Sequence, residues 1–148
     1  MSNVAGDGLN CRDEILKSPI LTNKIYDIAK QENNPTSLIR TIAFFFSSIV
    51  KGKPEPNIEI TKKSLEILTK YFSVEDYEIL RDVCWGFSNI SDSEDYYVQR
   101  YLIDEGIINT LISCDPQDIK DLKIPAIRIL GNLLSKNDTL VDVIITHI

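Results

Sequence analysis

Four side chains in the middle of the chain have the types and the spacing to contact a peptide. Glu78, Asp82, Trp85 and Asn89 would fall within roughly 60° of arc on one face of a helix. Carboxylates attract cationic side chains, an indole face packs on a lysine or arginine stem, and a carboxamide bonds to peptide groups. The stripe predicts binding of an extended basic peptide. The alternative is a surface helix whose tryptophan packs against a neighbour.

A helix must position this stripe, and its other side is apolar. Four apolar residues recur at helical spacing on a separate arc: Ile79, Val83, Phe87 and Ile90. An apolar arc of this kind faces a core. We therefore predict one long helix from about Val74 to Ser91, with Ser73 as a candidate N-cap.

One short phrase recurs four times along the chain. Its equivalent positions are Asn3, Ser48, Asn89 and Asn132, which lie 45, 41 and 43 residues apart. A period near 43 residues is in the range of armadillo and HEAT units. Because no stretch has a strand pattern, we predict an all-α solenoid of about three repeats of three helices.

Breaks in the helical pattern divide the chain into units. The predicted boundaries are 1–10 for the end of a preceding unit, 11–53, 54–95 and 96–136 for three full units, and 137–148 for the start of another. The predicted helices are 12–17, 19–30, 36–50, a nearly continuous pair within 58–72, 74–91, 96–105, 107–113 and 115–134. Pro125 should kink the last of these helices or shift its start. We expect an internal segment of a longer superhelix, or a truncated relative of one.

The stripe can be projected onto the other two long helices. The equivalent positions are Ser37, Thr41, Phe44 and Ser48 in the first unit and Asp121, Pro125, Arg128 and Asn132 in the last. The first unit lacks the carboxylates, and the last has Arg128 at the aromatic position. A ladder of amides can bond to the backbone of an extended peptide. The alternative for the asparagines is capping of helix C-termini.

The composition excludes several classes of function. The net charge of −6 disfavours nucleic acid as a partner, and no apolar run reaches the length of a membrane span. Three widely spaced cysteines form no metal motif and are expected to be reduced thiols. His147 is the only histidine, and no phosphate-binding loop is present. We predict no catalysis, no cofactor and no metal site.

The order of these motifs resembles the importin-α (karyopherin-α) armadillo-repeat family. Residues 3–13 resemble the end of that family's third repeat and the start of its fourth, and 40–53 resemble the fourth repeat's long helix and loop. Stretch 82–88 resembles the fifth repeat, and 125–132 resembles the sixth. The resemblance implies a right-handed armadillo superhelix, an adaptor for nuclear import, and a place in both cytoplasm and nucleus. It implies lysine- and arginine-rich nuclear localisation signals as ligands, bound along the concave groove.

Carried over residue by residue, the resemblance implies a set of peptide-binding positions: Asn3, Gly6, Asp7, Phe44, Ser48, Glu78, Asp82, Trp85, Asn89, Arg128, Asn132 and Asp138. The first three belong to the edge of the major signal site, and Glu78 and Asp82 contact basic side chains there. Trp85 and Asn89 line the stretch towards the linker of a bipartite signal. The last three lie on the approach to the minor site.

The sequence departs from the family at three of these positions. Phe44 and Ser48 replace the family's tryptophan and asparagine, and Asn89 stands where the family commonly has tyrosine. The basic segment through which the family binds importin-β is absent, so we expect that partner only if the full protein supplies the segment. The competing interpretation is an armadillo scaffold, or truncated relative, that binds other proteins without reading signals. Apolar repeat ends would favour self-association.

Overall fold

Eight helices of at least seven residues form the part of the chain that the structure describes. The structure is a computed structural model, and it describes residues 7–113, 122–136, 141–142 and 145. The helices are α1 (Leu9–Leu16), α2 (Pro19–Ala29), α3 (Thr36–Ile49), α4 (Ile58–Phe72), α5 (Tyr77–Ile90), α6 (Tyr96–Asp104), α7 (Ile107–Ser113) and α8 (Lys123–Lys136). These ranges contain no strand. The predicted all-α fold class is confirmed.

Polar side chains begin three of these helices by accepting hydrogen bonds from first-turn amides. The Asn57 carboxamide oxygen accepts from the Ile60 amide at 3.0 Å, as an N-cap does. Asp76 accepts from the amides of Glu78 and Ile79, each at 3.1 Å, and Asp95 caps α6 in the same way. The starts of these three helices are therefore set locally.

The structure corrects several predicted helix boundaries. Helix α5 begins at Tyr77, not at Val74, because Asp76 supplies the cap. Ser73 instead ends α4, and its hydroxyl donates to the Lys70 carbonyl at 3.3 Å. Helix α1 begins at Leu9, three residues before its predicted start. Helix α4 is one continuous helix, so the second unit contains two helices.

Pro125 and Gly106 both lie at helix ends. Pro125 lies in the first turn of α8, where its missing amide hydrogen leaves no intrahelical bond unmade. Its effect is therefore to shift the helix start. Gly106, with a φ of 67°, separates α6 from α7. Residues 1–6 of the predicted preceding unit and residues 115–121 of the predicted last helix lie outside the described residues.

Helices α3, α5 and α8, each of 14 residues, lie side by side in one layer. Helix α5 is central and packs against α3, α4 and α8. One continuous apolar core runs from α1 to α8 through all three units. This arrangement, in which each unit packs on its neighbours, is that of a helical solenoid.

A glycine allows α5 to approach its neighbours closely. A Cβ atom at position 86 would lie 2.6 Å from Cδ1 of Leu68 on α4 and 3.4 Å from Cα of Ser47 on α3. Gly86 and Leu68 are both fully buried, so Leu68 has little room to move. The space at Gly86 therefore sets the spacing of three helices.

A buried arginine fastens α1 to the loop that follows α3. Arg12 is only 2% exposed, and its guanidinium donates to the carbonyls of Lys51, Gly52 and Pro54 at 2.6, 3.3 and 2.9 Å. It also pairs with Asp13. The charge is thus balanced and the loop carbonyls are satisfied, as burial requires.

We expect Gly86→Ala to lower the free energy of unfolding. The overpacking cost, about 1–3 kcal/mol, opposes the gain in helix propensity, about 1 kcal/mol. Gly131→Ala is the matched control, because a Cβ at position 131 on α8 meets no atom within 4 Å, and it should stabilise. Urea unfolding followed by circular dichroism measures both. Equal stabilities for the two variants would contradict this account of Gly86.

Arg12→Met should cost about 3 kcal/mol, because it removes the donor of three hydrogen bonds to loop carbonyls and leaves Asp13 without its partner. Arg100→Met is the control, since Arg100 pairs with Asp104 on the surface of one helix, and exposed pairs of this kind contribute little to stability. Chemical unfolding of both variants is the measurement. A cost for Arg12→Met as small as that of the control would show that Arg12 does not hold this loop.

Candidate functional site

Helices α3, α5 and α8 line one cleft with residues from three units. The cleft has a volume of about 460 Å³ and is lined by Phe44, Ser47, Ser48, Lys51, Asp82, Trp85, Asn89 and Arg128. Six of these residues are among the predicted peptide-binding positions. The repeat spacing therefore identified positions that the fold brings together.

Sequence reasoning missed two residues of this cleft, Ser47 and Lys51. Both follow from helical geometry, because 44, 47, 48 and 51 are spaced as i, i+3, i+4 and i+7, which continues one face of α3 just past its end. Lys51 directly follows the helix C-cap. The helical spacing from Phe44 could therefore have predicted both residues.

Trp85 and Asn89 occupy the middle of the cleft. The Trp85 side chain is half-buried, and the Arg128 guanidinium lies 5.7 Å from the centre of its rings, within the range of a cation–π contact. Asn89 is also half-buried, and no hydrogen bond within the described residues engages its carboxamide. The cleft thus offers an aromatic surface beside a carboxamide that can bond to a ligand.

Phe44 and Ser48 form the wall opposite this pair. Phe44 is half-buried, whereas Ser48 is only 6% exposed. These side chains supply a phenyl ring and a small hydroxyl, whereas the equivalent positions on α5 supply an indole and a carboxamide. The wall contributed by α3 is therefore less polar than the stripe on α5.

The two carboxylates of the stripe already have arginine partners. The Glu78 carboxylate lies 2.9 Å from Nη1 of Arg40 and is outside the cleft lining. Asp82 lies within the cleft with its side chain 15% exposed, 3.3 Å from the guanidinium of Arg81. Burial raises the pKa of Asp82, Arg81 opposes that rise, and the nearby charge of Glu78 adds to it. The predicted acidic stripe is thus partly neutralised from within the protein.

The balance of charge in the cleft differs from that of the whole chain. Two cationic residues, Lys51 and Arg128, line it together with one carboxylate, Asp82, although the chain carries a net charge of −6. A basic ligand segment must therefore lie towards the Asp82 side. The Arg128 side suits uncharged or acidic ligand groups.

Two further predicted positions, Asn132 and Asp7, do not line this cleft. The Asn132 carboxamide donates to the hydroxyl of Ser91 at 3.0 Å and to the carbonyl of Ser88 at 3.5 Å. It thereby braces α8 against α5. Asp7 is exposed and does not line the cleft. The predicted positions Asn3, Gly6 and Asp138 lie outside the described residues.

Two further kinds of feature, a metal site and a membrane-spanning helix, are absent from the described residues. Across residues 7–113 and 122–136, no group of three or more His, Cys, Asp or Glu side chains could hold a metal ion. No helix in the described ranges combines the length and the apolar character that crossing a bilayer requires.

Relatives in sequence are importin subunits alpha. The chain is 32% identical to importin subunit alpha-1b of Oryza sativa subsp. japonica, over 99% of this chain and 27% of that protein. It is 30% identical to importin subunit alpha-3 of Arabidopsis thaliana, over 86% of this chain and 24% of that protein. The chain thus spans about a quarter of the length of these relatives. No protein-family model matches it.

Solved structures of repeat proteins share the fold. A designed armadillo repeat protein in complex with the peptide (KR)4 matches with a TM-score of 0.75 at 16% identity, over 99% of this chain and 60% of that one. An engineered protein matches with a TM-score of 0.74 at 17% identity, over 99% of this chain and 58% of that one. At these identities the likeness concerns the fold, and it confirms the predicted armadillo-repeat solenoid.

Asp82 and Asp76 should respond in opposite directions to replacement by asparagine. Burial raises the pKa of Asp82, so its charged form costs stability, and Asp82→Asn should stabilise at neutral pH. The Arg40 hydrogen bond lowers the pKa of Asp76, so its charged form adds stability. Asp76→Asn should destabilise at neutral pH even though asparagine caps helices equally well.

Both effects should vanish in acid. For Asp82 the cost disappears as the pH falls through its raised pKa, and for Asp76 the gain disappears as the pH falls through its lowered pKa. Thermal melts of both variants between neutral and acidic pH make the measurement. Effects of the same sign at neutral pH would contradict the assignment.

Proposed function

We propose that this chain, an armadillo-repeat protein related to the importin-α family over nearly its whole length, binds nuclear localisation signals in extended form along the cleft. The observation that supports this most directly is the convergence of Trp85, Asn89 and Asp82 with Phe44 and Ser48 in one groove. An indole, a carboxamide and a carboxylate are the groups that an extended lysine-rich peptide requires. The protein would act by binding alone, as an adaptor without catalysis.

The geometry gives each group a role in this proposal. The Asn89 carboxamide bonds to the peptide backbone of the ligand, which fixes the register without reading a side chain. The Trp85 ring packs on the stem of a lysine or arginine, and Asp82 pairs with its charge. Because Lys51 and Arg128 repel cations, the ligand segment that passes them should lack basic residues, as the linker of a bipartite signal does.

The relatives support a basic peptide as the ligand class. Proteins named importin subunit alpha match nearly all of the chain, and a designed protein of the same fold was solved with the peptide (KR)4. The proposal includes movement between cytoplasm and nucleus with cargo. It includes importin-β as a partner only where the full protein carries the family's basic binding segment.

A protein scaffold is the second candidate, and a specific surface favours it. Helix α8 carries three exposed apolar side chains on the side away from the core: Ile124, Ile127 and Leu134, which are 59%, 68% and 43% exposed. A surface of this kind suits a helix or domain of another protein, or a second copy of this chain. Binding there should be insensitive to salt, because burial of apolar area drives it.

A labelled bipartite peptide rich in lysine and arginine tests the proposed function. Fluorescence anisotropy should report saturable binding that weakens as salt rises, since charge pairing contributes to it. Trp85→Ala should weaken binding about tenfold and Asn89→Ala about fivefold.

The matched control for Trp85→Ala is Tyr97→Ala. Tyr97 also has a cation over its ring, Lys62 at 4.8 Å, but it lies on α6 and outside the cleft. This variant should bind the peptide as the wild type does. The proposed function is wrong if the folded wild type shows no saturable binding, or if all the variants bind equally well.

A further inference from the structure

One arginine spans two carboxylates at the N-terminal end of α5. The Nη2 atom of Arg40 lies 2.6 Å from Oδ2 of Asp76, and its Nε donates to both Asp76 oxygens at 3.2 Å. The Nη1 atom of the same guanidinium lies 2.9 Å from Oε2 of Glu78. The planar fork of arginine allows one side chain to pair with both carboxylates at once.

The two halves of this arrangement differ in how firmly they are held. The Asp76 side chain is 13% exposed, and it also accepts hydrogen bonds from two backbone amides as the cap of α5. The Glu78 side chain is 56% exposed and meets Arg40 through one guanidinium nitrogen. An exposed ion pair adds little free energy and exchanges readily. Glu78 can therefore leave Arg40 while Asp76 keeps it in place.

This pair lies directly beside the cleft. Arg40 is four residues before Phe44 on α3, and Glu78 is four residues before Asp82 on α5. Four residues are about one helical turn. The ion pair therefore lies about one turn beyond the cleft lining on both α3 and α5. The Arg40 guanidinium thus occupies the position in which a basic ligand side chain would meet Glu78.

We propose that Arg40 is a specificity-determining residue that competes with a ligand's basic side chain for the Glu78 carboxylate. This inference rests on the proposed function. A peptide whose cationic residue reaches Glu78 must displace the contact between Glu78 and the Arg40 guanidinium. Its binding free energy then gains only the difference between the new ion pair and the one that it replaces. Peptides with few basic residues are then disfavoured, because they cannot offset this displacement elsewhere in the groove.

Two replacements of Arg40 separate its contact from its charge. Arg40→Gln removes the charge and releases Glu78. Arg40→Lys keeps the charge but, as a single ammonium group, cannot hold both carboxylates in the fork geometry. The labelled basic peptide should bind Arg40→Gln about threefold more tightly than the wild type, and Arg40→Lys should fall between them.

The role of Glu78 is tested by a double-mutant cycle. Glu78→Gln should weaken peptide binding only slightly in the wild type, where Arg40 already satisfies the carboxylate. In the Arg40→Gln background the same replacement should remove the whole gain. This coupling distinguishes release of Glu78 from the general effect of removing one positive charge. Thermal melts establish that all four proteins are folded at the assay temperature.

The outcomes separate this inference from the proposed function. Peptide binding by the wild type with equal or weaker binding by Arg40→Gln would overturn the role of Arg40 alone. A gain in Arg40→Gln that persists when Glu78 is also replaced would overturn it as well. Absence of binding in the wild type with binding in Arg40→Gln would support Arg40 as a competitor and overturn signal binding by the native chain. Absence of binding in all four proteins would overturn both proposals.

Discussion

The close approach of α5 to α3 and α4 at Gly86 is the constraint on which the cleft depends. A side chain at this position would meet Leu68 and the backbone of Ser47, and the helices would have to separate. The residues on either side of Gly86 lie in different environments. Phe87 is fully buried and packs edge-on against Phe72 at 5.6 Å, while Trp85 turns to the cleft. The distance across the cleft is thus set by a residue that does not line it.

Features that depend on neighbouring residues in the sequence were predictable. The spacing of apolar residues identified the helices. Helical spacing identified three cleft residues on α5, and the repeat spacing identified Phe44, Ser48 and Arg128, because equivalent positions of a solenoid lie side by side. The Asn57 cap and the Gly106 break follow from local backbone chemistry. The start of α5 was missed because Ser73 and Asp76 are both good caps. Only the structure shows that Asp76 has the Arg40 partner that holds it there.

Contacts between units could not be predicted in the same way. Arg12 reaches the carbonyl of Pro54, Arg40 reaches Asp76, and Asn132 reaches Ser91, across 42, 36 and 41 residues respectively. Such pairs form only where the packing of helices brings particular side chains within about 3 Å. A one-dimensional pattern indicates that Asn132 and Asn89 are equivalent. It does not indicate that one amide braces the fold while the other faces the cleft.

For the proposed peptide ligand, the charges of the cleft favour recognition that starts from neutral groups. The net charge of −6 is a sum over the chain, but a ligand meets Lys51, Arg128 and a carboxylate whose pKa burial raises. The second carboxylate of the stripe is occupied by Arg40. Asn89 faces no such competition for an incoming peptide group, whereas the Arg128 guanidinium already lies 5.7 Å from the centre of the Trp85 rings. Contacts to the ligand backbone and side-chain stems should therefore supply most of the affinity, and the paired carboxylates should act mainly on the choice between ligands.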